Sequence, residues 1–124
     1  MSDHPFADLI GMQVERLEEG EARAWVDVAE QHQNPHGVVH GAVVFALIDT
    51  SMGGAAVSVL AEGQRPATIE MQVRFFRPVL AGRLEAHTTV VRAGRRIIHL
   101  ESKVTDADGT LVATGAGSFA VLEG

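Results

Sequence analysis

Asp49 is the one ionisable side chain in a long apolar stretch, which makes it the first candidate for chemistry. The stretch covers residues 41–61, GAVVFALIDTSMGGAAVSVLA. A carboxylate among apolar side chains is rare unless it is paired or functional. Because such surroundings favour the protonated form of a carboxyl group, a carboxylate there can act as a general base near neutral pH. The alternative is a structural Asp49 that hydrogen-bonds or caps a neighbouring element.

The second candidate is the segment Asn34-Pro-His-Gly-Val-Val-His40-Gly41, which leads into the apolar stretch. If the stretch is a helix, Gly41 stands in its first turn, where backbone N–H groups have no intrahelical partner. These groups and the helix dipole favour negative charge, so they can bind an anion or stabilise an oxyanion. An ordinary loop and helix cap would use the same residues.

Other catalytic chemistries find little support. His32, His36 and His40 recur every four residues, as metal ligands on one helix face would, but Pro35 and Gly37 interrupt that helix. The chain has no cysteine, which excludes thiolate metal sites, disulfides and a cysteine nucleophile. No serine stands in a G-x-S-x-G elbow. We therefore expect no metal and no cofactor.

The charge distribution argues against a nucleic-acid ligand but is compatible with a local binding site for a small anion. The net charge is −6, whereas nucleic-acid binders are normally basic. However, seven basic and only two acidic residues lie between Arg74 and Lys103. This asymmetry indicates either a local anion site or the solvated face of strands. The start of the chain, MSDHPFADLI, shows no basic region followed by an apolar run, so we expect no signal peptide and a cytoplasmic protein.

The elements that must position these residues follow from hydrophobic periodicity. The apolar stretch predicts a buried helix; a membrane span is the weaker alternative, because Asp49 would be costly in lipid. Alternating residues and turn signals predict strands on both sides of it. A short helix over 5–11, capped by Ser2 or Asp3, and a loop over 30–40 complete the pattern. The predicted strands are 13–18, 21–28, 67–77, 83–92, 95–105 and 110–122.

Residues 1–124 are thus expected to form a single α+β domain. Its antiparallel sheet of about five to six strands would wrap around one long central helix. Alternation over 67–77 places Ile69, Met71, Val73 and Phe75 on one face and Thr68, Glu70, Gln72, Arg74 and Phe76 on the other. One sheet cannot cover an apolar helix on all sides, so we also expect a homodimer or a higher oligomer.

The segment from Asn34 to Gly41, with Asp49 nine residues after His40, resembles the hotdog-fold acyl-CoA thioesterases of the phenylacetic-acid-degradation type, in the 4-hydroxybenzoyl-CoA thioesterase superfamily. Residues Thr68-Ile-Glu-Met-Gln-Val-Arg-Phe-Phe-Arg-Pro78 are similar to the same family. So are Gly82, Gly94-Arg95 and Asp108-Gly109. The resemblance covers about residues 6–122. It implies paired subunits with a continuous sheet, usually a tetramer, and active sites at the dimer interface.

The resemblance also implies roles for single residues. The Gly41 amide would polarise a thioester carbonyl, with His40 and Asn34 beside it. Asp49 of the facing subunit would attack the carbonyl or activate water, and Thr68 would position that group. The family usually shows His-Gly-Gly, whereas Ala42 stands in place of the second glycine here.

The implied activity is hydrolysis of an acyl-CoA to a carboxylic acid and coenzyme A. The phosphates of coenzyme A would give the basic region a use, with Arg92, Arg95 and Arg96 as the expected contacts. Two alternatives stay open: a hotdog hydratase or dehydratase acting on acyl thioesters, and a non-catalytic acyl-CoA binding module. The sequence does not specify the acyl group.

Overall fold

The computed structural model describes residues 3–124. Its helices and strands follow one another as a hairpin, a long helix and four further strands. They are α1 Pro5–Ile10, β1 Gln13–Arg16, β2 Glu21–Asp27, α2 Gly41–Val57, β3 Gln64–Phe75, β4 Arg83–Ala93, β5 Ile97–Thr105 and β6 Leu111–Glu123, with a single 3₁₀ turn at Glu30–His32. The 3₁₀ turn lies within the segment that was expected to be a loop.

All six strands form one antiparallel sheet in the order β1-β2-β4-β5-β6-β3. Helix α2 packs on one face of this sheet, and its contacts reach all six strands. Strict alternation in β2 buries Ala22, Ala24 and Val26 against the helix, as the sequence pattern predicts. The prediction of an α+β hotdog fold, with the sheet wrapped around one long helix, is confirmed.

Helix α2 ends at Val57, four residues before the predicted end. Ser58 ties this end to the hairpin, because its Oγ accepts a hydrogen bond from Gly20 N at 2.7 Å and donates one to Ala55 O. The chain then turns, and Ala61 N donates to Oε1 of Gln64, where β3 begins. The apolar residues after Val57 therefore line a connection rather than extend the helix.

Helix α1 begins at Pro5, as predicted, but its capping residue differs from the prediction. His4 is its N-cap, and Nδ1 of this side chain accepts a hydrogen bond from Ala7 N at 3.2 Å. Asp3 is not the cap, and Ser2 lies outside the described residues. An imidazole nitrogen replaces the side-chain oxygen that usually accepts this bond.

Two glycines of β6 bring α2 close to the sheet. A Cβ atom at Gly115 would lie 2.9 Å from Ile48 Cγ2, and one at Gly117 would lie 2.9 Å from Met52 Sδ. Both distances are shorter than atoms of a packed core tolerate. The missing side chains thus set the depth at which the helix sits, and hence the height of Asp49 above the sheet.

One face of α2 remains open in the single protomer. Phe45 on this face is 43% exposed, and Ile69 and Phe75 of β3 are 52% and 55% exposed. Strand β3 pairs only with β6, so its other edge has free backbone groups along 12 residues. Large exposed apolar side chains beside an unpaired strand are typical of an interaction surface.

Candidate active site

Asp49 lies on the open face of α2 and is half-buried. Thr68 of β3 donates a hydrogen bond from Oγ1 to Asp49 Oδ1, at 2.9 Å. This bond fixes one carboxylate oxygen and leaves Oδ2 without a hydrogen bond to any residue from 3 to 124. The structure therefore brings together two of the predicted site residues, one from the helix and one from the sheet.

A β-bulge in β3 makes this contact possible. Thr68 pairs with Phe119 and Glu70 pairs with Ser118, so Ile69 is the extra residue between them. The extra residue shifts the alternation by one position, and Thr68 turns toward the helix. The prediction that Thr68 shares a face with Glu70 is wrong for this reason. Glu70 instead faces away from α2, where Oε1 accepts a hydrogen bond from Ser118 Oγ.

At the start of α2, one backbone amide has no partner. His40 is the N-cap: its Nδ1 accepts a hydrogen bond from Ala42 N at 2.9 Å, and its carbonyl accepts one from Val43 N. Gly41 N forms no hydrogen bond within residues 3–124. Because Nδ1 of His40 is an acceptor here, a neutral His40 carries its proton on Nε2. The helix start thus offers one free N–H and an imidazole donor.

The packing around Gly41 also leaves little room for a side chain. A Cβ atom there would lie 3.3 Å from Cζ of Phe75, so the ring packs directly against the first turn of α2. Gly41, Phe75 and Asp49 line one shallow pocket along the open helix face, together with Ala42, Phe45 and Ala46. The methyl group of Ala42 points to the same pocket lining as these residues.

Asn34 holds the loop that precedes the helix. Its Oδ1 accepts hydrogen bonds from His36 N at 2.8 Å and Val38 N at 3.4 Å. An isolated bridge between Gln33 and Val39 closes the same loop. The carboxamide oxygen of Asn34 is therefore occupied, and only its NH₂ group remains to donate to a ligand.

Within one protomer, the helix start and Asp49 do not meet. Eight residues separate Gly41 from Asp49, which corresponds to about 12 Å along the helix axis. One carbonyl group cannot contact both the Gly41 amide and the Asp49 carboxylate at that separation. A site that uses both groups needs a second copy of the chain.

A larger cleft, of about 540 Å³, lies beside Asp49 and extends toward the C-terminal end of α2. Its walls are mostly apolar and come from the helix and from both edges of the sheet. They include Phe6, Val14, Gly53, Val57, Pro66 and Phe119. Arg16 of β1 also lines the cleft and was not among the predicted site residues. Its position two residues after Val14 is the signal that could have identified it, because both share one strand face.

Arg92, Arg95 and Arg96 are exposed at the turn between β4 and β5. This turn lies at the end of the sheet next to the C-terminal end of α2, where Val90 N donates to Gly20 O. The three arginines are thus remote from Gly41 of the same protomer. They form no salt bridge with another residue of the described chain.

The histidine series does not gather around a common point. His32 is buried, its Nδ1 accepts a hydrogen bond from Ala29 N, and its Nε2 donates to Ile10 O at 2.6 Å. Among residues 3–124, no three His, Asp or Glu side chains come close enough to share a metal ion. The same residues contain no helix that is both long enough and apolar enough to span a membrane.

Comparison with known proteins gives three consistent similarities. The model of the thioesterase superfamily matches residues 36–113. A mutant structure of the phenylacetic acid degradation protein PaaI from Thermus thermophilus is 30% identical, with a TM-score of 0.87 over 96% of this chain and 100% of that chain. PaaI from the phenylacetic acid degradation operon of E. coli is 25% identical, with a TM-score of 0.90 over 98% and 87% of the two chains.

A curated relative shows the same relationship by sequence. The proofreading thioesterase EntH of Klebsiella pneumoniae is 28% identical to this chain, over 98% of this chain and 88% of its own length. The residues matched by the superfamily model, 36–113, include Gly41 at the helix start and Asp49.

Proposed function

The chain belongs to the thioesterase superfamily and is a thioester hydrolase; we propose that its substrates are acyl-CoA thioesters. The products would be a carboxylic acid and free coenzyme A. The observation that carries this proposal is the hydrogen bond from Thr68 Oγ1 to Asp49 Oδ1, beside a cleft with apolar walls. It holds a carboxylate at a surface that an acyl group can reach.

In the proposed site, the thioester carbonyl oxygen accepts a hydrogen bond from the Gly41 amide of one subunit. This amide has no partner within the described protomer, and the helix dipole adds to its attraction for negative charge. The bond strengthens as the oxygen becomes an oxyanion, which lowers the barrier to attack. His40 Nε2 and the NH₂ group of Asn34 are the neighbouring donors for the carbonyl or for water.

Asp49 of the facing subunit supplies the second half of the chemistry. Acting as a base, its carboxylate takes a proton from water while the hydroxide forms a bond to the carbonyl carbon. The C–S bond then breaks, and the thiolate leaves and is protonated. Acting as a nucleophile, the same carboxylate would form an acyl anhydride that water hydrolyses. In both routes Thr68 orients the carboxylate and leaves Oδ2 available.

Two copies of the chain are needed because Gly41 and Asp49 are too far apart in one. We propose a homodimer in which the free edges of two β3 strands pair and the open faces of two α2 helices meet. This arrangement would cover Phe45 and Ile69 and bring Gly41 of one copy toward Asp49 of the other. Further pairing of dimers would give the homotetramer that the family resemblance implies.

The test of this function is thiol release from a panel of thioesters. The panel contains phenylacetyl-CoA, straight-chain acyl-CoAs and the corresponding acyl-carrier-protein thioesters, with Asp49→Asn as the blank. Phenylacetyl-CoA is included because PaaI is by name a phenylacetic acid degradation protein. We expect saturable release from at least one acyl-CoA. Hydration of an enoyl thioester without thiol release, or binding without turnover, would reject the proposal in favour of a hydratase or a binding module.

A further inference from the structure

We propose that Arg16 determines substrate specificity by binding an anionic group at the far end of the acyl chain. The substrate class would then be the acyl-CoA thioesters of dicarboxylic acids. This inference rests on the proposed function, because it assigns the cleft beside Asp49 to the acyl group.

The strand register directs Arg16 toward the helix side of the sheet. In β1, Arg16 pairs with Ala22 and Val14 pairs with Ala24. Ala22 and Ala24 are fully buried against α2. Residues directly opposite each other in an antiparallel pair share a face, so Arg16 and Val14 face α2 as well. Both line the cleft that contains Asp49.

Among the charged side chains of β1 and β2, Arg16 is the one that faces α2, because it pairs with the buried Ala22. Glu15 faces the other side of the sheet and forms a salt bridge with Arg23 at 2.6 Å. Arg16 forms no salt bridge with any residue between 3 and 124, although the chain carries more acidic than basic side chains. A guanidinium without a carboxylate partner is suited to bind one from a ligand.

The cleft has the form that an acyl chain with a charged end requires. Gly53 and Val57 follow Asp49 by one and two helical turns, and they line the cleft on its helix side. A Cβ atom at Gly53 would meet nothing within 4 Å, so the floor of the cleft is open there. Phe6 and Phe119 add apolar walls. A ligand with a neutral thioester near the Asp49 carboxylate and an anionic group near the Arg16 guanidinium would avoid repulsion at the first and form an ion pair at the second.

The experiment measures binding in the Asp49→Asn background, where substrate is not consumed. Calorimetry compares adipyl-CoA with hexanoyl-CoA, which has the same number of acyl carbons and no terminal carboxylate. Arg16→Met retains the length and apolar character of the stem. We expect it to weaken adipyl-CoA binding by about tenfold or more, the usual effect of losing a charge-assisted pair, and to leave hexanoyl-CoA unchanged. Arg16→Lys should restore part of the difference.

Arg74→Met is the matched control, because Arg74 lies on β3 and lines a pocket on the other side of the sheet. It should leave both dissociation constants unchanged. The proposal is overturned if Arg16→Met weakens both ligands equally, which would assign Arg16 to coenzyme A, or weakens neither, which would leave it a charge that protects a strand edge. Absence of thiol release by the wild-type chain would instead refute hydrolysis, since the binding comparison does not depend on turnover.

Discussion

The hydroxyl of Thr68 and the carboxylate of Asp49 are joined by a 2.9 Å hydrogen bond between the edge strand and the central helix. The bond exists because the bulge at Ile69 turns Thr68 toward α2. A second hydroxyl–carboxylate pair, Ser118 of β6 and Glu70 of β3, lies on the face of the sheet away from α2. It provides controls for the variants that follow.

Thr68→Val should lower kcat by about tenfold, because one hydrogen bond to the carboxylate is lost while the side-chain volume is kept. Thr68→Ser should restore most of the rate. Both are measured by thiol release with the best acyl-CoA of the panel. Ser118→Ala removes a comparable hydroxyl from the outer face and should leave the rate unchanged; an equal loss in this control would contradict a positioning role for Thr68.

Asp49→Asn should lower thiol release by about 100-fold or more, because the amide is neither a base nor a nucleophile. The oligomer mass, measured by light scattering, should not change. Glu70→Gln makes the same chemical change on the outer face of β3 and should retain full activity. Near-normal turnover by Asp49→Asn would remove this carboxylate from the mechanism.

Gly41→Pro should lower kcat by roughly 100-fold, since it deletes the proposed oxyanion donor. Proline is well accepted at the first helical position, whose N–H has no intrahelical partner. Gly41→Ala is the control: it retains the amide and adds a Cβ atom 3.3 Å from Phe75 Cζ. If both variants lose the same activity, the Phe75 contact and not the amide explains the loss. Circular dichroism checks that the helix is intact.

Mixing Asp49→Asn with Gly41→Pro tests whether two subunits share each site. After subunits exchange at random, about a quarter of the sites should combine an intact Gly41 with an intact Asp49 from the partner. Activity should therefore reappear in a mixture of two inactive proteins. A mixture that stays inactive, although mass spectrometry shows exchanged subunits, would mean that the two residues do not serve one site.

Gly115→Ala should destabilise the fold by about 1–3 kcal/mol, because the added methyl group overlaps Ile48 Cγ2 in the core. Gly53→Ala adds the same group at a position with open space in the protomer, and there the higher helix propensity of alanine should raise stability. Chemical denaturation of both variants measures the difference. Equal stability of the two would show that α2 can move away from β6 without cost.

Much of the fold could be predicted because the sequence patterns are local. The alternation that buries Ala22 and Val26 and the turn at Asp106–Gly109 are both found as expected. The end of α2 at Val57 was not predictable from hydropathy, because it depends on the contact between Ser58 and Gly20. Residues distant in the sequence form that contact.

For the candidate site, the types of the residues identified Asp49 as a candidate, whereas the hydrophobic periodicity assigned Thr68 to the wrong face of β3. Regular alternation over 67–77 placed Thr68 on one face with Glu70, and only the bulge turns Thr68 toward Asp49, the position that the family resemblance implied. A bulge depends on the register between β3 and β6, which a single strand does not encode. Arg16 was missed for a similar reason, since the role proposed for it depends on a cleft whose walls come from separate helices and strands.

The two ends of the sheet differ greatly in length, with 12 residues in β3 and four in β1. The long β3 edge is the end that the proposed dimer uses, and joining two β3 strands would occupy that edge in both copies. The two outer edges of the proposed dimer would then be the short β1 strands, each with Arg16 on the face toward α2. Strand addition in the proposed dimer would therefore stop after one round, and further pairing of dimers would use other surfaces and give a closed tetramer instead of a fibre.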